Sequence, residues 1–210
     1  MTSTAEHLHG LLHKFDKSTI PTIEKAAEAG DAEAQFKLGA LYANGVGVKQ
    51  ESKTAAQWLR KAAKQGSFPA QTLLGWCYAG GHGVSKNIGE ALEWYSKAAE
   101  QGDTDAMCSL ADIYIEGEAG IERNISSALR WYEKAANLGH PKAQYLLGKL
   151  LAEGKVVQQN DEAAFQWLTL AIMSDSEAAQ RELAMLTARL DPDTLQQYKD
   201  NMLALMQLPH

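Results

Sequence analysis

The chain of 210 residues has few of the features that usually announce a function. It contains no run of about 18 apolar residues, so no membrane-spanning helix is expected. Its first ten residues have no basic stretch leading into an apolar one, which leaves no secretory signal and makes the cytoplasm the expected compartment. Cysteine is nearly missing. Cys77 and Cys108 are the only two, too few for a disulfide framework and not in the Cys-x-x-Cys spacing of redox or zinc sites. Positive charge is also in short supply. Lys and Arg total 20 against 26 for Asp and Glu, and a net charge of −6 repels phosphate backbones, so nucleic acid is not expected as a main partner.

Catalytic and metal-binding arrangements are equally scarce. His9 and His13 share a helix face at i, i+4, but His7 points the other way and no Cys or carboxylate completes a tetrahedral set. The glycine-rich stretches Gly45-Val-Gly47 and Gly80-Gly-His-Gly83 follow helical rather than strand patterns, and no Gly-Lys-[Ser/Thr] accompanies them. Their recurrence suggests turns that need positive φ. No Gly-x-Ser-x-Gly is present, and Asp112 with Glu116 is a carboxylate pair of the kind found on many solvated helices. No catalytic residue, cofactor or metal is expected, and the protein reads as a non-enzyme.

The chain does have a period. Four of its five tryptophans, Trp58, Trp94, Trp131 and Trp167, follow one another at spacings of 36, 37 and 36 residues. Other columns fall on the same period: Leu38, Leu74, Leu110 and Leu147; Gly39, Gly75, Ala111 and Gly148; Gly45, Gly81, Gly117 and Gly154; Ala62, Ala98, Ala135 and Ala171. The one extra residue lies between Glu116 and Ile121, in a glycine-bearing loop where an insertion disturbs no packing. Such a period marks a stacked repeat array. Within a unit, Ala70, Leu74, Gly75 and Tyr78 form one helical stripe, and Ala91, Trp94 and Ala98 form a second that ends at Gly102. Each unit is therefore a helix, a glycine-bearing turn and a second helix. A small residue at Gly75 is poor for an isolated helix but lets a neighbouring helix approach closely.

The pattern A-x3-L-G-x2-Y-x2-G-x-G-V followed by A-x2-W-x3-A-A-x2-G resembles the Sel-one-like repeats, relatives of the tetratricopeptide repeats. The resemblance implies an all-α fold, a right-handed α/α superhelix, or solenoid, of helix-turn-helix repeats in one continuous domain. Its parts would be N-terminal helices and a half repeat over 1–33 and repeats over 34–69, 70–105, 106–142 and 143–178. A degenerate repeat helix and a C-terminal capping helix would fill 179–210. In the last helix, Leu195, Tyr198, Met202, Leu205 and Met206 could cover the open end of the stack, or serve a partner. The fourth unit departs from the pattern at Leu151, Val156 and Asp175.

The resemblance also implies an interaction scaffold or adaptor in a bacterial cell, binding a protein or peptide on a concave face lined by first helices. The third, seventh and eleventh positions of those helices would face the partner. The candidates are Phe36, Cys108 and Tyr145 from the third, Trp76, Asp112 and Lys149 from the seventh, and Glu116 and Glu153 from the eleventh. Trp76, the one tryptophan off the period, is read either as packed on an adjacent helix or as an exposed anchor. An aromatic centre with an acidic surround suggests a basic or amphipathic partner. Two other readings stay open: an envelope-associated β-lactam-binding or hydrolase-like relative, and a self-associating protein forming a homodimer. The exported relatives linked to β-lactams carry regular disulfides that this chain lacks.

Overall fold

The computed structural model describes Leu8, Leu12 and residues 15–117, 120–174 and 176–207. Among these residues there are eleven α-helices and no strand. Where the sequence suggests one continuous array, the chain divides into two compact units, Met1–Asn124 and Ile125–His210. The division falls in the third repeat, at the loop that carries the extra residue.

The first unit contains α1 (Ile20–Glu28), α2 (Ala32–Asn44), α3 (Ser52–Lys64), α4 (Phe68–Gly80), α5 (Ile88–Glu100) and α6 (Thr104–Glu116). The second contains α7 (Ile125–Asn137), α8 (Pro141–Glu153), α9 (Asp161–Met173), α10 (Glu177–Thr187) and α11 (Pro192–Met206). Within each unit, helices adjacent in sequence pack on one another, except that the last, α11, packs on α9 rather than on α10. The helix ends are written in the sequence. Asp31, Asn87, Asn160, Ser176 and Asp191 cap their helices by accepting from a backbone N–H three residues on. Gly45, Gly81, Gly117 and Gly154 end the first helix of each repeat in the left-handed region, as the turn reading requires. No helix among the described residues is long and apolar enough to cross a membrane.

The small-residue column has a direct cause. A Cβ on Gly75 would lie 2.8 Å from the Tyr95 ring, and one on Gly39 or Gly148 would lie 2.8 Å from the branch carbon of Leu59 or Leu168. Each glycine is thus a notch that receives the large residue twenty positions later, on the second helix of the same repeat. Leu59, Leu74 and Leu168 are completely buried. In the degenerate fifth unit, Ala179 is buried as its column suggests, but Ala184, aligned with Gly148, is exposed. The last helix, α11, packs on α9, with Met202 buried and Leu195 and Tyr198 partly so, whereas Leu205 and Met206 remain open.

A buried polar column also links the repeats. The side-chain amides of Gln35, Gln71 and Gln144 donate to the carbonyls of Ala27, Ala63 and Ala136 at 3.0, 3.1 and 3.2 Å. In the first unit, Gln65 and Gln101 then donate to the Oε1 atoms of Gln35 and Gln71 at 2.8 and 2.7 Å. The bonds to the carbonyls fasten the first helices of the first, second and fourth repeats to the preceding second helix. Those from Gln65 and Gln101 tie the end of a second helix to the first helix of its own repeat, and a buried amide deprived of such partners would cost about 1–3 kcal/mol. In the fourth repeat Ser174 stands where Gln65 and Gln101 stand, and Gln144 Oε1 is buried without a partner among the described residues.

Candidate functional site

The third-position column turns inward. Phe36 is 1% exposed and Cys108 3%, so neither is available to a partner, contrary to the expectation from the tetratricopeptide-like register. Phe36 lies in the core with Ala56, Leu59, Ala70 and Leu74, in the seam between consecutive repeats. Thr72, in the same column, is buried and donates to the Asp103 carboxylate. Tyr145 is half-buried against the core of the second unit. The column therefore stabilises the stack.

The seventh and eleventh positions are more open. Trp76 is 49% exposed, which decides between its two readings in favour of accessibility. Its indole stacks on the His82 imidazole with ring centres 3.9 Å apart and planes inclined by 18°. The stack depends on the glycine-rich turn: a Cβ on Gly80 would meet His82 Nε2 at 2.1 Å, so only glycine there leaves the imidazole its present place. Beside the indole lies a cavity of about 270 Å³, lined by Leu8, Ala43, Asn44, Leu59, Leu73, Trp76 and Cys77. The cavity lies between the C-terminal end of α2 and the middle of α4, and its walls are apolar except at Asn44. Cys77 is free and buried, and that burial pushes its thiol pKa up to about 11, so it is a neutral, unreactive part of the wall. Asp112 is half-buried and Glu116 exposed, one turn apart on α6.

In the second unit, Lys149 pairs with Glu182 at 3.4 Å and lies 3.9 Å from Glu153, while Glu153 also meets Lys155 at 3.2 Å. An acidic surround is therefore neutralised in this unit. A different surface stands out there. In the first three repeats a lysine lies over the periodic tryptophan: Lys61 over Trp58, Lys97 over Trp94 and Lys134 over Trp131, at 3.8, 4.2 and 5.2 Å from the ring centres. The fourth repeat has Leu170 in the lysine column, and Trp167 with Leu170, Met173, Met202, Leu205 and Met206 borders an apolar cavity of about 520 Å³. Trp76 and Trp167 thus each border an apolar cavity. The substitution of Leu170 in the lysine column was the signal for the second.

Among the described residues, no group of three or more His, Cys, Asp or Glu could hold a metal ion. His7, His9 and His13 lie outside the described residues, as does most of the N-terminal part of the segment 1–33 for which helices are expected; Leu8 and Leu12 within it are helical.

Comparison with known proteins agrees with the helix-pair geometry. The sequence profile of the Sel1 repeat matches residues 32–67, 69–103, 104–140 and 141–176. The structure of a Sel1 repeat protein from Oxalobacter formigenes superimposes with a TM-score of 0.76 at 32% identity, covering 90% of this chain and 79% of that one. A protective antigen present in uropathogenic Escherichia coli strains, displaying an SLR fold, also gives a TM-score of 0.76, at 33% identity, covering 83% of this chain but 37% of the antigen. No curated protein sequence matches the chain. Four consecutive profile matches, together with glycine notches, left-handed caps and paired helices at the positions the repeat requires, place this chain in the Sel1 repeat family.

Proposed function

We propose that the protein is a non-catalytic scaffold whose first unit binds a protein segment at the Trp76 face. Sel1 repeat proteins are generally protein–protein interaction scaffolds, which sets the class; the location rests on a half-exposed tryptophan beside an open apolar cavity. An aromatic ring already held by a stacked imidazole loses little freedom on binding, so its contact area contributes more to affinity. Asp112 and Glu116 on α6 give the same unit a carboxylate pair, which suits a partner with an apolar anchor and basic flanks. In the second unit the candidate acid Glu153 is paired with Lys155 and lies close to Lys149.

The test is affinity capture from the native host with the wild type and with Trp76→Ala and Asp112→Lys. Trp76→Ala is expected to lose the partner while the helical circular dichroism signal and melting temperature stay near wild type, because the indole is half in solvent. Asp112→Lys is expected to weaken capture, most strongly at low salt. Unchanged capture by both variants would refute the choice of surface.

A further inference from the structure

We infer that the apolar face formed by α9 and α11 is a self-association surface, on which a second copy of this chain docks about a two-fold axis. The face departs from the repeat. In the first three repeats the positions three and six residues after the periodic tryptophan are charged or polar: Lys61 and Lys64, Lys97 and Glu100, Lys134 and Asn137. The fourth repeat places Leu170 and Met173 there, one turn apart on α9, and Met173 is 60% exposed. The stack requires neither to be apolar, since lysine and glutamate serve in the same columns elsewhere. α11 continues the face with Leu205 and Met206, each 46% exposed although they follow the buried Met202. Trp167, Leu170 and Met173 from α9 and Met202, Leu205 and Met206 from α11 border one cavity of about 520 Å³. A contiguous apolar patch of this kind marks a contact surface.

Charge and shape select a copy of the same chain as the occupant. None of the described residues that line the cavity is charged, and a tryptophan and three methionines are among them, the composition of an interface core. Chains of net charge −6 repel one another wherever carboxylate meets carboxylate, so they associate through neutral surface. A partner recruited by charge finds nothing here to pair with. A two-fold contact also sets one patch against itself, so the patch must complement itself. Leu205 and Met206 stand half in solvent beside the cavity they border, which supplies both a projection and a recess. The unbranched methionines adapt to an irregular gap. Gln166 and Asn137, the polar members of the lining, carry amides that both donate and accept, so identical groups can pair across the axis. The contact uses the second unit alone, and the dimer therefore offers two Trp76 faces, which strengthens binding to a partner that presents two matching segments.

Sedimentation equilibrium of the full-length protein, from about 1 to about 100 μM, tests the inference. The wild type is expected to approach the mass of two chains within this range. Leu205→Asp and Met206→Asp should raise the dissociation constant at least about thirtyfold by setting a carboxylate in the contact core, and their half-exposed positions let the single chain keep its helical circular dichroism. Met206→Leu should associate like the wild type. So should Met185→Asp, whose side chain is exposed on α10 and does not line the cavity. A wild type that stays a single chain throughout would overturn the inference, as would aspartate variants that associate as tightly as the wild type. Association lost in Trp76→Ala but kept in Met206→Asp would place the contact on the first unit and overturn it equally. None of these results decides the Trp76 reading, which the capture experiment tests on its own.

Discussion

Gly83→Ala is expected to destabilise the first unit by about 3 kcal/mol or more, whereas Gly66→Ala should cost only about 1 kcal/mol. Both glycines have positive φ, +74° and +92°, so both substitutions pay the left-handed penalty of an L-residue. They differ in space. A Cβ on Gly66 would meet nothing within 4 Å, while one on Gly83 would lie 2.0 Å from the Ser52 carbonyl oxygen and 2.8 Å from Lys53 N. That obstacle is backbone at the start of α3 and has no rotamer to change. The loop of the second repeat must therefore lift off the second helix of the first, and the seam between repeats opens. Urea unfolding of the two variants against wild type measures the difference; equal costs would mean that the loop does not hold the repeats together.

Removing α11, by ending the chain after Leu190, is expected to lower the stability of the second unit by roughly 4 kcal/mol and its melting temperature by about 10 °C or more. Met202 is buried, Leu195 and Tyr198 pack on the same cluster as Leu168 and Leu186, and the Tyr198 ring lies 6.0 Å from that of Phe165. Asn201 donates to Glu162 at 2.7 Å across the same contact. A side chain of this size contributes about 1.5–3 kcal/mol when fully buried, and two of these three are only partly covered. A capping helix gives this result. A helix present only to dock a partner would leave the melting temperature unchanged, and calorimetry of the truncated chain separates the two roles.

The repeat was legible because its glycines and leucines answer to fixed local geometry. Gly39, Gly75 and Gly148 each face one defined side chain on the following helix, so the sequence records the notch in every repeat where it is needed. The glutamine column was harder to see. Met107 interrupts it in the third repeat, and a glutamine in a helix gives no sign that its amide will be buried against the previous helix's last turn. Phe36 and Cys108 were placed on the open face by analogy of register, but the third position lies in the seam between consecutive helices and the core encloses it. Leu8 was invisible for the opposite reason: it has no counterpart one period away. Trp76 could be singled out from sequence because it breaks the period, yet its exposure depends on how far the Gly80 turn lets His82 come back over the indole. Lys149 and Glu153 were read separately, and only their distances reveal that they neutralise one another and their neighbours.

The central claim is that recognition is located in the first unit, around Trp76. Amide hydrogen exchange of the full chain, with and without the partner captured by the wild type, tests it most directly. Protection is predicted at the C-terminal end of α2 and through the middle of α4, around Asn44 and Leu73 to Cys77, with the amides of α9 and α11 unchanged. Protection confined to α9 and α11, around Trp167, Leu170 and Met206, would contradict the account and move the binding surface to the second unit.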